Sequence, residues 1–361
     1  MTGKVRASTG SSGRILKRFL LLVVSTCLVL LAGEAALRLS GYGFIWVPCS
    51  GFLVPSSQQG VGYEPLPFFS GFYAGAYVQT NELGLRDTQD PRTYRRPRIL
   101  LLGDSVLFGF GVPNEQTLAA HLERLLRKKY GKPFEVLNAG VNGYHIAQEA
   151  AFGDRFVRLL NPDTVVFIVI PNDVDGRELY ADAYGDLRDS GVPPPPNPCS
   201  PQTLFDKTTF FLKKHSQLFN AIRVSYIRWK VLRSPWDKRL ATIYPPGFHY
   251  SDSDWNQWRD RVKRTVAVID KWNLPTAFFV VSTDFPSREA LAAVVRSLEE
   301  TGYPVWNSES DLGIVNERTA PPEILSTRLW WDIHPDGRGQ ELIARSLFNH
   351  LCGEKIRAPM Q

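Results

Sequence analysis

The sequence has few cysteines and lacks the short motifs that hold metals or nucleotides. Among its 361 residues are 4 cysteines, and none has a Cys-x-x-Cys or Cys/His spacing typical of zinc sites. No Walker-type Gly-Lys-Ser/Thr run occurs, and no third glycine follows Gly109-Phe110-Gly111 to complete a dinucleotide fingerprint. The sequence therefore implies no metal and no cofactor.

The chain also lacks a strong excess of one charge. Its net charge is +6, and the basic residues are scattered without a nucleic-acid-binding motif. The composition is that of an ordinary globular protein, with 43% hydrophobic, 12% aromatic and 22% charged residues, which argues against disorder or a repeat array. We expect the charge to aid solubility and attraction to anionic surfaces, with no nucleic-acid partner.

One long apolar run is present near the N-terminus. Phe19 to Leu37 is about 19 residues, close to the ~20 that span a bilayer, and basic residues precede it. A cleaved signal peptide is the alternative, but Gly33-Glu34-Ala35 is a poor cleavage site and the run is longer than a usual signal core. We predict a basic cytoplasmic tail over 1–18, an uncleaved transmembrane anchor over 19–38, and the remainder outside the cytoplasm.

Residues 39–95 are rich in glycine, proline, serine and aromatic residues and have no sustained period. Their aromatic residues argue against a free linker, so we predict an ordered extracytoplasmic extension that packs on the following domain. In an oxidising compartment Cys49 and Cys199 could pair, a suggestion that rests on the compartment alone.

From residue 96 to 352, strand and helix patterns alternate. Apolar strand patterns occur at Arg98–Gly103, Phe134–Leu137, Thr164–Ile170, Thr276–Val281 and Pro304–Trp306, with helical patterns near 115–129, 146–160, 254–272, 287–301 and 338–351. Such alternation predicts an α/β domain with a central parallel sheet covered by helices on both faces.

An insertion over about 177–250 interrupts this alternation. It contains Pro193-Pro194-Pro195-Pro196 and then an apolar and basic helical stretch, Phe210 to Leu232. For the basic residues of that stretch the sequence favours an ordinary solvated helix face over a membrane-surface or polyanion contact.

A serine stands just past the carboxyl end of the first core strand, in Gly103-Asp104-Ser105. Ligands bind at that edge of an open α/β sheet, although glycine, aspartate and serine are also common turn residues. Gly140 and Asn172 follow the next two strands. His334 precedes the last helix, and it alone of the 6 histidines has an adjacent acid and a Pro-Asp-Gly turn.

These four positions resemble the SGNH/GDSL hydrolase superfamily, which is named for a serine, a glycine, an asparagine and a histidine in separate blocks. The matching blocks are Gly103-Asp104-Ser105, Asn138-Ala139-Gly140, Asn172-Asp173 and Asp332-Ile333-His334, and the resemblance covers about residues 80–352. The anchor, Gly84-Leu85-Arg86 and the run from Leu102 to Val112 resemble membrane-anchored bacterial members. The resemblance implies a flavodoxin-like α/β/α domain on the periplasmic side of the inner membrane.

The resemblance also implies roles for these residues. Ser105 is expected to be the nucleophile, His334 its base and Asp332 the acid that orients His334. The N–H groups of Ser105 and Gly140 and the side-chain amide of Asn172 are expected to form the oxyanion hole. Gly140 suits that role because a backbone without a Cβ can approach the substrate closely.

The sequence departs from the family pattern in two places. Ile170 stands where a glycine usually precedes the asparagine block, which predicts a narrower pocket. Trp331 occupies the usual position of the acid, so we assign that role to Asp332 and keep Asp336 as the second choice.

The predicted activity is hydrolysis of a carboxylic ester, through an acyl-serine intermediate, on an O-acylated envelope glycan (O-acetylated ones included) or a lipid. An O-acyltransferase would use the same residues with a sugar hydroxyl as acceptor. An alternative of another class is a non-catalytic glycan-binding or assembly protein that retains the fold. The residues alone do not choose among these.

Overall fold

The computed structural model describes the chain over 11–40, 50–89, 93, 97–175, 179–181, 187–189, 203–232, 248–314 and 334–353. Its α-helices are α1 (Ser11–Leu39), α2 (Ser105–Phe108), α3 (Leu118–Tyr130), α4 (Ile146–Leu160), α5 (Leu204–His215), α6 (Gln217–Leu232), α7 (Asp252–Ile269), α8 (Arg288–Glu299), α9 (Glu309–Leu312) and α10 (Gly337–Gly353). Its strands are β1 (Leu53–Pro55), β2 (Tyr63–Pro65), β3 (Ser70–Tyr73), β4 (Ala76–Gln79), β5 (Arg98–Gly103), β6 (Glu135–Gly140), β7 (Thr164–Val169), β8 (Leu179–Ala181), β9 (Leu187–Asp189), β10 (Thr276–Val280) and β11 (Val305–Asn307).

Five strands form one parallel sheet, with the spatial order β11-β10-β7-β5-β6. Numbered along the chain, this order is 2-1-3-4-5, the doubly wound order of flavodoxin-like folds. The predicted α/β class with a central parallel sheet is confirmed. The winding direction reverses between β5 and β7, and sheets of this kind bind ligands at the carboxyl ends of the strands where that reversal occurs.

Alternate residues of β5 enter two separate apolar cores. Leu100 and Leu102 belong to the core that includes residues of α4, α7 and α8, whereas Ile99 and Leu101 belong to the core that includes residues of α3 and α10. All four side chains are at most 3% exposed. A strand buried on both faces has a continuous apolar sequence, which is why the sequence predicts this strand. Helices therefore cover both faces of the sheet in three layers.

The segment before the sheet packs into the same core as α4. It forms two short antiparallel pairs, β1 with β2 and β3 with β4. Phe52, Tyr63, Val78 and Leu85 are at most 1% exposed and lie in the core that contains Leu100. This segment is thus an ordered part of the domain, while the bounds assigned to the extension, the domain and the insertion stay predictions.

Helix α1 exposes its apolar side chains. Residues Gly13–Leu39 are long and apolar enough to cross a membrane, and their length and composition suit an anchor and a signal sequence alike. Cys27 on α1 is exposed and Cys352 on α10 is partly buried, and both are free thiols. Cys49 and Cys199 lie outside the described residues, so their suggested pairing stays a prediction.

Candidate active site

The turn from β5 into α2 presents Ser105. The strand ends at Gly103, and Asp104 caps the helix because its Oδ1 accepts the N–H of Val106 at 2.9 Å. A Cβ on Gly103 would lie only 2.9 Å from the Cβ of Leu107, so the sharp strand-to-helix turn requires glycine here. Ser105 is the first residue of α2 and stands at the carboxyl edge of the sheet.

A histidine contacts the serine hydroxyl directly. The Nε2 of His334 lies 2.8 Å from the Oγ of Ser105, and the ring of Phe110 stacks on the imidazole with centroids 4.4 Å apart. Gln340 on α10 donates to the carbonyl of Val106 at 2.9 Å, which fastens the start of α10 to α2. The fold therefore brings together two residues that are 229 positions apart in sequence.

Asp104 links Ser105 to Asn172. Its Oδ2 accepts from the Nδ2 of Asn172 at 2.7 Å and from the Oγ of Ser105 at 2.9 Å. The carboxyl is fully buried, and this burial raises the pKa of Asp104. Since a hydroxyl has one hydrogen, Ser105 donates either to Asp104 or to His334, and only the second bond prepares it for attack.

Asn172 lies in a 3-10 turn, Pro171–Asp173, directly after β7. Asp173 fixes this turn, because its Oδ2 accepts the N–H of Ile170 at 2.9 Å. One N–H of the Asn172 amide bonds to Asp104, and an amide has a second N–H that can face a ligand. The side chain of Ile170 is buried in the core shared with α3 and α10, and the narrower pocket expected from it stays a prediction.

Gly140 is the last residue of β6 and lies opposite Gly103. A Cβ on Gly140 would lie 2.3 Å from the backbone nitrogen of Phe108, so glycine is required by the close approach of α2. Its N–H donates to the Oδ1 of Asn138 at 3.0 Å. The place of Gly140 in an oxyanion hole stays a prediction, and the reason for the glycine differs from the expected approach of substrate.

The loop that follows β6 reaches the same edge of the sheet. Gly143 has a φ of +77°, which favours glycine, and two tyrosines of the extension bond to its neighbour Asn142. The Tyr63 hydroxyl donates to the Asn142 carbonyl at 2.8 Å, and the Nδ2 of Asn142 donates to the Tyr73 hydroxyl at 3.1 Å. This loop is therefore held in place by the extension.

Of the two candidate acids, the structure describes Asp336 but not Asp332. Asp332 and Trp331 lie outside the described residues, so the acid assignment is untested. Asp336 caps α10, because its Oδ1 accepts the N–H groups of Arg338 and Gly339, each at 2.9 Å. Its carboxylate is thus already engaged in a helix cap.

Arg86 of the extension holds the loop that follows Ser105. Its guanidinium donates to the carbonyls of Phe108 at 2.5 Å, Gly109 at 2.6 Å and Val112, and it lies 4.5 Å from the centroid of the Phe108 ring. The side chain is almost wholly buried, and burial lowers the pKa of Arg86 to about 9. In the sequence, Arg86 belongs to a segment that resembles membrane-anchored members of the SGNH/GDSL superfamily. The sequence does not indicate which carbonyls the Arg86 side chain binds.

A buried acid that the sequence did not single out, Glu149, lies near Asp173 and Asp104. Glu149 on α4 is 1% exposed, and neither of its carboxyl oxygens has a hydrogen-bond partner among the described residues. Burial, reinforced by the nearby charges of Asp173 and Asp104, raises the pKa of Glu149 well above its usual value. Burial also lowers the pKa of His145, the cap of α4, to about 3. Periodicity marks Glu149 only as a helix residue and does not reveal its burial.

No family model and no curated protein matches this sequence. Solved structures that resemble it include a lipolytic protein of the G-D-S-L family from Desulfitobacterium hafniense (11% identity, TM-score 0.38, 70% of this chain and 99% of that one covered). Others are a catalytic mutant of an acetylxylan esterase from Geobacillus stearothermophilus (13%, 0.38, 73% and 98%) and a lipase/acylhydrolase from Enterococcus faecalis (12%, 0.38, 71% and 95%). Identities and TM-scores this low assign no activity to this chain, and the function proposed below rests on its own residues.

Replacing Arg86 by methionine should destabilise the protein. The change leaves three carbonyls of the Ser105 loop without their buried donor, and each such loss costs about 1–3 kcal/mol. We expect the free energy of unfolding to fall by roughly 3 kcal/mol or more, measured by urea unfolding of the full chain in detergent. Arg124→Met is the matched control, because Arg124 also donates to a carbonyl, that of Glu115, but at the surface. Equal losses in both variants would contradict the role given to Arg86.

Replacing Glu149 by glutamine should change how stability depends on pH. An acid whose folded-state pKa is raised binds more protons folded than unfolded, so it lowers stability as pH rises above the unfolded pKa of about 4.3. We expect the melting temperature of Glu149→Gln to rise relative to wild type, and this gap to widen between about pH 5 and pH 8. Glu299→Gln, at an exposed position of α8, is the control. A gap that does not change with pH would argue that Glu149 is ionised in the folded protein.

Proposed function

We propose that this chain is a serine ester hydrolase held at a bacterial inner membrane by α1. The observation that carries the proposal is the 2.8 Å contact between the Oγ of Ser105 and the Nε2 of His334. It lies at the carboxyl edge of a doubly wound sheet, with the Asn172 amide joined to the same serine through Asp104. A serine hydroxyl is a weak nucleophile until a neighbouring base takes its proton, and His334 is placed to take it.

The proposed reaction has two half-reactions. The Oγ of Ser105 attacks the ester carbonyl while its proton passes to the Nε2 of His334, and the tetrahedral intermediate collapses as His334 returns that proton to the leaving alcohol. Water then gives a proton to His334 and attacks the acyl carbon. As the bond from the acyl carbon to the Ser105 Oγ breaks, His334 passes that proton to Oγ, which releases the carboxylic acid and restores the serine. Asp332, two residues before His334, is the acid we assign to hold the imidazole in the correct tautomer.

The developing oxyanion needs N–H donors at the same edge. The Ser105 N–H belongs to the first turn of α2, where N–H groups have no intrahelical partner, and Asn172 supplies a side-chain N–H. Gly140 remains the third proposed donor, although its N–H already bonds to Asn138.

The proposed substrate is an ester of an envelope glycan or of a lipid. This class is supported by the sequence resemblance and by α1, which would keep the domain near the outer face of the inner membrane. No described group distinguishes water from a sugar hydroxyl as the acceptor, so hydrolysis stands as the proposal and acyl transfer as its variant. We propose no nucleic-acid partner and no cofactor.

Covalent labelling by a fluorophosphonate tests the proposal directly. We expect the full chain in detergent to be labelled, and Ser105→Ala and His334→Ala to lose labelling. Hydrolysis of p-nitrophenyl acetate should fall by about a thousandfold or more in both variants. His350→Ala is the matched control, since His350 lies on α10, the helix that follows His334, but contacts Asn307 and Trp306.

Labelling that persists in Ser105→Ala would contradict the assignment of the nucleophile. A folded wild-type protein that is not labelled at all would favour the non-catalytic binding protein. If transfer of the acyl group to an added glycan is faster than release of the free acid, the acyltransferase is favoured.

A further inference from the structure

An acid near the end of α1 fastens the inserted helices to the apolar helix. Glu34 accepts from the Ser216 hydroxyl at 2.9 Å and from the N–H groups of Gln217 at 3.0 Å and Leu218 at 2.9 Å. These donors are the start of α6, so Glu34 acts as the N-terminal cap of that helix. Arg38 pairs with Glu34 at 2.7 Å and also donates to the carbonyl of His215, the last residue of α5, at 2.6 Å. The α5–α6 hairpin, by which we mean these two helices and the single residue Ser216 that joins them, is thus attached to α1 where α5 ends and α6 begins.

The position of Glu34 along α1 sets the depth of this attachment. With a rise of 1.5 Å per residue, the predicted anchor over 19–38 is about 28 Å long, close to the ~30 Å of hydrocarbon in a bilayer. If α1 spans the membrane, as the anchor proposed above requires, Glu34 lies about 6 Å from the outer end of that span, one helical turn before Arg38. The α5–α6 hairpin is then held at the membrane surface.

The hairpin exposes several apolar side chains. On α6, Ile222, Tyr226 and Trp229 are 60%, 62% and 52% exposed, and their spacing of four and three places them on one face. On α5, Leu204 and Phe205 are about four-fifths exposed. Exposed apolar patches of this kind mark interaction sites, and tyrosine and tryptophan are enriched where a membrane meets water.

The α5–α6 hairpin has an excess of positive charge, which is the sign that anionic lipid headgroups attract. Six lysines and arginines lie in the two helices against a single acid, Asp206; they are Lys207, Lys213, Lys214, Arg223, Arg228 and Lys230. Basic residues on a helix with aromatic and apolar neighbours attract anionic headgroups, and they also prevent the helix from entering the hydrocarbon.

We propose that the α5–α6 hairpin lies in the headgroup layer of the bilayer that holds α1, with Ile222, Tyr226 and Trp229 in contact with lipid. The sequence alone favoured a solvated helix face for this stretch. The attachment of α5 and α6 to Glu34 is seen only in the folded chain, and it favours a membrane-surface contact instead. The domain is then held by two membrane contacts, and its rotation about α1 is restricted.

Photocrosslinking in proteoliposomes tests the inference with the full chain. Benzoylphenylalanine replaces Tyr226 in vesicles of phosphatidylethanolamine and phosphatidylglycerol, and mass spectrometry identifies what it joins. The matched control is the same replacement at Leu159, which is 60% exposed on α4, and the replacement at Leu31 of α1 reports insertion of the anchor. We expect lipid adducts at 226 and at 31, several-fold above those at 159.

Lipid adducts at 31 but not at 226 would overturn the inference, as would a product at 226 that joins two copies of the chain or an added glycan. Absence of lipid adducts at residue 31 would also overturn the inference, because it would show that α1 is not inserted in the bilayer. Fluorophosphonate labelling of Ser105 is measured in a separate experiment. A failure of the proposed hydrolase activity is therefore distinguishable from a failure of the proposed membrane contact. In the Glu34→Ala chain we expect adducts at 226 to fall several-fold while those at 31 are unchanged.

Discussion

The buried carboxyl of Asp104 is the contact on which the arrangement of the site depends. It caps α2, accepts from the Ser105 hydroxyl and accepts from the Asn172 amide, so it joins the ends of the two central strands β5 and β7. A buried carboxylate is costly unless hydrogen bonds satisfy it, and here those bonds come from the groups that must be positioned. The same burial raises the pKa of Asp104.

The extension supplies support that the sheet alone does not. Arg86 holds the loop after Ser105, and Tyr63 and Tyr73 hold the loop after β6. Phe52 and Leu85 lie in the same core as the strands. The extension and the sheet therefore share one core, and loss of the extension would expose apolar surface next to the site as well as release its loops.

The sequence predicted what local patterning determines and missed what depends on distant partners. The apolar run of β5 and the turn at Gly103 identify the position of Ser105, because a strand buried on both faces has no polar alternation. Gly140 was identified, but the reason for its glycine is α2, which packs on it from outside the local pattern. Arg86 and Glu149 were not assigned roles, since their burial arises from elements that meet only in the folded chain. The same holds for Glu34, which the sequence offers only as a charge near the end of an apolar run.

Glu34 also bears on whether α1 is retained. A carboxylate within an apolar segment is costly in a membrane unless it is paired and lies near the surface. The start of α6 and Arg38 supply that pairing, and in return Glu34 satisfies N–H groups that the first turn of α6 would otherwise leave without a partner. Cleavage after α1 would remove the acid and leave the start of α6 uncapped beside an exposed apolar face. The proposed uncleaved anchor would keep this cap in place.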